Sequence, residues 1–442
     1  MFGALQPVAA RAASGANRPP PDTNKAAAWH DQGRARLCSA LVGVCFLLPL
    51  VVFPGLDQPF STPKLAFLVI VVSVGAGMAH LVGLRAWPSL PRIFQGWLVA
   101  WLAAFGASAL LGDFASGVAI LLPLAAVAWF LLLMVVRPEA EHLALALAIC
   151  GVVIACVALL QSVGWDLFAQ IGWVATPSDG RRMRVYATLG NPDFVAAFLI
   201  GVMPLAASVG KTPKMRRLFW IALAIQAMGI FATGSRGAVL AFLAALVWMA
   251  ALGRLGRSRS FILTVVLVGA ALLAWSPARR LATTSRGRFY IWQAVVPHLA
   301  EHPVLGFGPG AFAPKYAQWE AERWHRRPSF GQLEFAGFQN HAHNDYLETL
   351  VDNGLTGLVS FLGILVCFLV FVLRQQRLAR GENLACASAG VVSLAAVALV
   401  DFPFQRPTEL FLFWTLLAIA FLAASGGAPA TIREKQDPKA QV

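Results

Sequence analysis

The sequence predicts an all-α integral membrane protein of about 12 transmembrane helices, with a large outward-facing loop between spans 9 and 10. Three observations carry this. The 442 residues are 58% hydrophobic and only 13% charged. Twelve stretches approach the ~20 apolar residues that a bilayer core requires. The short links on one side of the spans are all basic. Such a composition excludes a disordered chain and is foreign to an ordinary soluble enzyme.

Taken in order, the spans lie near 37–56, 65–84, 93–112, 116–136, 142–164, 191–210, 217–233, 237–253, 260–277, 350–373, 384–401 and 408–426. Residues 1–36 are rich in Ala, Pro and Arg and lack the apolar centre of a signal peptide, so they are expected to be a disordered cytoplasmic tail. Residues 37–426 form one polytopic domain that includes the loop 278–349, and 427–442 form a second cytoplasmic tail. The seventh and eighth spans are short, and the "GSRG" between them leaves almost no loop. Cys38, Cys45, Cys150, Cys156, Cys367 and Cys386 all fall in or at the ends of spans. Neither a structural disulfide nor a cysteine metal site is expected.

Charge orients the helices. With the N-terminus inside, 21 of the 35 Lys and Arg lie inside and 14 outside. Every short inside link is basic, as the positive-inside rule asks. The net charge of +14 is then partly topology. No nucleic-acid motif or nucleotide-cradling loop accompanies it, so nucleic acid is not an expected partner.

This orientation collects the chemistry on one face. "RRMRVYATLGNPDF" (181–194), "TGSRG" (233–237), the 278–349 loop with "RGRFYIW" and "EHPVLGFGPGAF", and "DFPFQRP" (401–407) all face outwards. The outside cations are nearly all arginine, whose fork suits phosphate oxygens. Arg236 sits in a minimal turn between two hydrophobic helices, where a cation is costly unless an anion meets it. Arg184 precedes a turn in which Asn191-Pro192 opens a helix, and Arg288 precedes Phe289, Tyr290 and Trp292. Singly, each could snorkel to lipid headgroups or belong to an interfacial belt. Three arginines delivered to one face by three loops point to an anionic ligand.

"HAHNDYLETLVDNGLTGL" (341–358) brings two histidines to the mouth of an apolar helix. Asn344 or Asp345 can cap that helix, and Asp345 and Glu348 suit its first turn. His343 stands just before the positive end, where imidazolium is disfavoured and a neutral ring can take a proton from a hydroxyl. His341 shares a face with His343 if the segment is extended. A His-x-His metal site completed by His302, Asp345 or Glu348 is the rival reading; the spacing alone does not supply a ligand set, and no metal or other cofactor is expected. The glycines at 306, 308 and 310 lack the strand-then-helix frame of a phosphate loop and read as a tight re-entrant turn.

The assembled set resembles the O-antigen ligase and polymerase superfamily of bacterial envelope glycosyltransferases. The likeness rests on an Arg before "T-x-G-N-P", "GSRG" between two spans, "R-x-x-x-W" followed by "HPxxGxGxGxF", and "HNDYLxxLxxxGxxG" opening the next span. "DQPFSTPK" (57–64) and "DFPFQRP" add to it, and it covers roughly 57 to 407. It implies a site at the periplasmic face of the bacterial inner membrane, which makes 278–349 a periplasmic loop. It also implies transfer of a glycan from an undecaprenyl diphosphate carrier, with inversion and without a metal, to a sugar hydroxyl of lipid A-core. Polymerases of the same superfamily use another carrier-linked glycan as acceptor, and oligosaccharyltransferases a protein serine. Membrane lipids surround the site in every case. Carried over by position, the base falls on His343 and the diphosphate-binding arginines on Arg184, Arg236 and Arg288. His341, Asn344 and Tyr346 are candidates for support, and His341 leaves the identity of the base open. A membrane transporter is the alternative from another class. It would place charge near the bilayer midplane and often show inverted repeats, and these spans have neither feature.

Overall fold

The computed structural model describes residues 23–84, 90–170, 185–208, 212–253, 278–326, 339–378 and 381–426. Among the described residues every regular element is helical. The chain is an all-α integral membrane protein. In order the helices are α1 (Thr23–Leu47), α2 (Thr62–Leu81), α3 (Arg92–Leu111), α4 (Gly117–Val136), α5 (Ala140–Ser162), α6 (Leu167–Gln170), α7 (Pro192–Val202), α8 (Leu205–Ser208), α9 (Pro213–Thr233) and α10 (Gly237–Ala251). They continue with α11 (Ala278–Val295), α12 (Phe312–Arg326), α13 (Asp345–Leu378), α14 (Glu382–Val397) and α15 (Pro407–Ala424).

Eight described helices are long and apolar enough to cross a membrane: α1, α2, α3, α4, α5, α9, α13 and α15. Shorter apolar helices occupy the expected sixth, eighth and eleventh spans. The expected ninth span, 260–277, lies outside the described residues. Proline marks several starts, as its fixed φ and missing donor favour. Asn191 Oδ1 caps α7 ahead of Pro192 by accepting from the Asp193 amide at 2.9 Å. Thr212 Oγ1 caps α9 ahead of Pro213 by accepting from Met215.

The centre of the bundle is α15, 89% buried over its apolar window where the other spans reach at most half. It packs on α4, α5, α7 and α14. Phe94, Phe130, Trp414 and Phe421 interlock there. Trp129 donates to Thr415 Oγ1 at 2.9 Å, so its buried indole N–H is satisfied.

The first helix differs from expectation. It begins at Thr23, inside the stretch read as disordered tail. Two tertiary anchors explain the extension: His30 Nδ1 bonds Val82 O at 2.8 Å, and Arg34 Nε donates to Val136 O at 3.1 Å. Ala-rich sequence at 26–28 needs little more to remain helical.

The described parts of the large loop form a folded cap. Ile291, Val295, Phe307, Phe312, Trp319 and Val351 belong to a second hydrophobic core, separate from that of the bundle. The cap is riveted to the membrane helices at a break in α13. Gly354 has φ 62°, and a Cβ there would lie 2.3 Å from Val304 O. The amides of Leu355 and Thr356 donate to Pro303 O and Val304 O, while the carbonyls of Val351 and Asp352 accept from Phe307 and Gly308. The Asp352 carboxylate takes the Gly310 and Phe312 amides, each at 2.9 Å, at the start of α12. Gly308 passes so close to Phe114 that a Cβ would sit 1.7 Å from its carbonyl oxygen. The glycine run thus makes the turns of a joint between helices.

Candidate active site

The site is assembled from the segment before α13, the 398–406 link, the α9–α10 turn and the helices α7 and α11. Asn344 caps α13, its Oδ1 accepting from the Leu347 amide at 3.0 Å. The amide of Asp345 donates to Ala398 O, and its Oδ2 accepts from the Phe404 amide at 2.8 Å. These bonds dock the mouth of α13 on the 398–406 link between α14 and α15. A cleft beside them is lined by Asp193 of α7, Ser235 and Gly237 of the α9–α10 turn, Arg288 of α11, and Val400 and Asp401 of the link.

His343 occupies the last turn before α13 with φ 51°, a left-handed conformation that histidine tolerates better than most residues. Its Nδ1 lies 3.7 Å from Asp401 Oδ1, an ion-pair separation longer than a hydrogen bond. Nδ1 is buried and the side chain is 34% exposed, so the Nε2 edge is the one open to a substrate.

Asp401 is held in turn by Arg406, with Oδ2 3.5 Å from Nη2. Arg406 is buried, reaches Glu409 Oε1 at 3.5 Å, and lies over the Phe194 ring at 3.4 Å and that of Phe402 at 5.0 Å. Burial pushes the Asp401 carboxyl up, but the Arg406 guanidinium and His343 outweigh it and hold the group below the usual carboxylate range. All three Arg406 nitrogens, Asp401 Oδ2 and Glu409 Oε1 are buried without a hydrogen bond of good geometry among the described residues.

His341 belongs to a second pair. Its Nδ1 is 2.8 Å from Glu348 Oε1, and the other carboxylate oxygen accepts the Ala342 amide at 2.8 Å. The ring stacks on Phe402 at 4.1 Å, while His343 meets the same ring edge-on at 5.1 Å. The two rings therefore meet on Phe402, although His343 lies in a left-handed turn and the segment is not extended through it. They engage different carboxylates and do not converge on one point. Among the described residues, no three His, Cys, Asp or Glu gather where a metal ion could be held. His302 turns to Asp113 at 3.6 Å.

Arg236 and Arg288 are half-buried, and neither has an ion-pair partner among the described residues. Arg236 ends the α9–α10 turn after Gly234, which closes α9 with φ 62°. Arg184 lies outside the described residues. The turn that follows it is firmly seated: Gln161 Oε1 accepts the Tyr186 and Ala187 amides. Lys64 donates to Phe60 O and Thr188 O, both at 2.7 Å. Lys64 is fully buried.

Of the two caps the sequence offers, Asn344 is the one that caps α13, and Asp345 and Glu348 lie in its first turn as expected. The Asp345 carboxylate is buried on the Phe404 amide, and Glu348 also meets His341. The Tyr346 O–H donates to Ala395 O at 2.8 Å, which leaves its oxygen free only to accept. The sequence also left Asp401, Phe402 and Arg406 without a role, although an acid and an arginine in a short link between apolar spans are a usable signal.

Residues 221–362 match the family model described as O-antigen ligase. That range holds Arg236, Arg288, His341, His343 and Glu348. A curated O-antigen ligase of Pseudomonas aeruginosa is 30% identical over 167 residues, covering 37% of this chain and 38% of that protein. The matched segment thus spans well under half of that relative.

Proposed function

Because this multi-pass chain belongs to the O-antigen ligase superfamily, we propose that it moves a glycan from an undecaprenyl diphosphate carrier to a sugar hydroxyl of lipid A-core. The reaction takes place at the periplasmic face of the bacterial inner membrane. The observation that carries the reading is His343, its Nδ1 turned to buried Asp401, beside a cleft that holds Arg288 and adjoins the Arg236 turn.

In this mechanism the acceptor hydroxyl approaches the anomeric carbon from the side opposite the diphosphate. His343 Nε2 takes the hydroxyl proton as the new C–O bond forms, which inverts the centre. Arg236 and Arg288, joined by Arg184, neutralise charge as it builds on the departing diphosphate. Asp401 holds the His343 ring in place and stabilises the imidazolium that forms. Asn344 keeps the ring at the helix mouth by capping α13. The arginines do the charge neutralisation, so turnover proceeds without a metal. The polyprenyl chain runs in apolar grooves between spans.

Deleting the gene and separating the lipopolysaccharide by gel tests the reading. Loss of all long-chain material, with carrier-linked polymer accumulating, is the expected result. Accumulation of single-repeat caps would instead identify a polymerase, and unchanged lipopolysaccharide would reject both. Turnover of purified enzyme is expected to survive EDTA; restoration by one divalent metal after complete loss would overturn metal independence.

A further inference from the structure

At the end of the bundle remote from the candidate site, α1 and α2 frame a groove. Helix α4 fixes the direction. It begins at the cap, where the Ser116 amide donates to Pro309 O, and it ends at Val136, whose carbonyl accepts from Arg34 of α1. The first turns of α1 therefore lie far from the cap. The end of α2 meets them there: His30 Nδ1 bonds Val82 O at 2.8 Å, and a Cβ at Gly33 would stand 2.9 Å from Val82 Cγ2. Beside this contact, the groove between the two helices has a volume of about 610 Å³, within the ~300–1,000 Å³ of ligand sites. We propose that it binds an anionic phospholipid, with an acyl chain along the groove and the phosphate on Arg36. This role is independent of glycan transfer.

The lining has a polar end and an apolar floor. On α1, Gln32, Arg36, Ala40 and Val44 recur at every fourth position, which places them on one stripe. The stripe starts with an amide and a guanidinium and continues as apolar surface. On α2, Ile70, Val74 and Met78 line the groove at the same spacing. Ile70 and Val74 are each 60% exposed, so protein leaves much of both uncovered. On membrane-spanning helices that covering is hydrocarbon. The stripe from Gln32 to Val44 rises about 18 Å at 1.5 Å per residue, close to the ~15 Å of one leaflet. A chain that enters beside Arg36 can thus run to the middle of the bilayer within the groove.

The head end selects charge. Arg36 is exposed and has no ion-pair partner among the described residues. Among the described residues no carboxylate lines the groove; Asp31 and Glu139 line a separate cleft on another face of α1. The neighbouring Arg34 is already taken by Val136 O. An arginine that only snorkels to bulk headgroups needs no slot beneath it. A free guanidinium over an apolar slot between two spans suits a phosphate that carries its own acyl chain.

The experiment uses full-length protein, stripped of lipid, in uncharged detergent. Its melting temperature is followed as phosphatidylglycerol, phosphatidylcholine with the same chains, or inorganic phosphate is added. Phosphatidylglycerol is expected to raise it saturably, at about one-fifth of the concentration that phosphatidylcholine needs, and phosphate to leave it unchanged. That fivefold preference corresponds to about 1 kcal/mol for one cation at an anionic surface. Arg36→Gln should abolish the preference and keep the phosphatidylcholine response. Equal responses to the two lipids in the wild type, a preference that survives Arg36→Gln, or a rise with phosphate alone overturns the proposal. A photo-crosslinking side chain at Val74 reads the occupant directly, whether or not the Arg36 variant folds. An adduct of phospholipid mass is expected. An adduct to residues 1–22 or to a second copy of the chain overturns the proposal, as does no adduct in lipid-saturated protein.

Discussion

Asp352 and Asp401 are both buried carboxylates beside apolar helices, yet their surroundings differ. Asp352 takes two backbone amides at 2.9 Å, and its own carbonyl accepts from Gly308 and Ser108. Asp401 has a guanidinium at 3.5 Å, an imidazole at 3.7 Å and an oxygen without a well-formed hydrogen bond. Buried polar groups are normally satisfied. A saturated carboxylate reads as a joint in the architecture. A loose cluster of charge next to a small cleft reads as a site whose remaining partners arrive with the substrate.

The sharpest way to break this comparison is at the loose end. His343→Ala is expected to lower kcat by about 10²–10⁴ while carrier binding and detergent-extracted yield stay near wild type. Equal loss of binding would make His343 a ligand group. If His343→Ala proves active and His341→Ala dead, the two histidines exchange roles.

At the saturated end the damage should be to folding. Asp352→Ala leaves the Gly310 and Phe312 amides without acceptors, at about 1–3 kcal/mol for each. The expected result is a lower melting temperature and less extractable protein, with turnover per folded molecule within a few-fold of wild type. A fully stable but inactive Asp352→Ala would move that residue into the site.

The arginines should fall between these extremes. Arg236→Ala is expected to weaken donor binding as well as turnover, because it meets diphosphate in the ground state too. Arg236→Lys should recover only part, since lysine keeps the charge and loses the fork. Full recovery in the lysine variant would reduce the residue to a point charge.

The smallest expected effect concerns pH. The Asp401 carboxyl is held below its ordinary value. Its contribution to stability is therefore present above about pH 4, the ordinary aspartate range, and lost as pH falls through the lowered value. Melting temperature between pH 7 and pH 3 should drop more steeply on the acid side for wild type than for Asp401→Asn. Parallel curves would mean that the Asp401–Arg406 pair contributes nothing to the folded state.

The sequence by itself determined the all-α membrane class and most of the helices. It could do so because hydropathy over ~20 residues is a local quantity. Asn344 as a cap and Pro192 as an opener were legible for the same reason. Only the tertiary structure decided which carboxylate each histidine faces. Glu348 is seven residues from His341 along the chain, and Asp401 lies on another link, so no spacing rule separates their partners. The same holds for Tyr346, whose hydroxyl is taken by a carbonyl of α14, and for Lys64, buried by contacts more than a hundred residues away. The glycines 306–310 became a joint because a break in α13 opposes them. Each of these outcomes depends on what packs opposite a residue, and hydrogen bonds across elements form only once the bundle has closed.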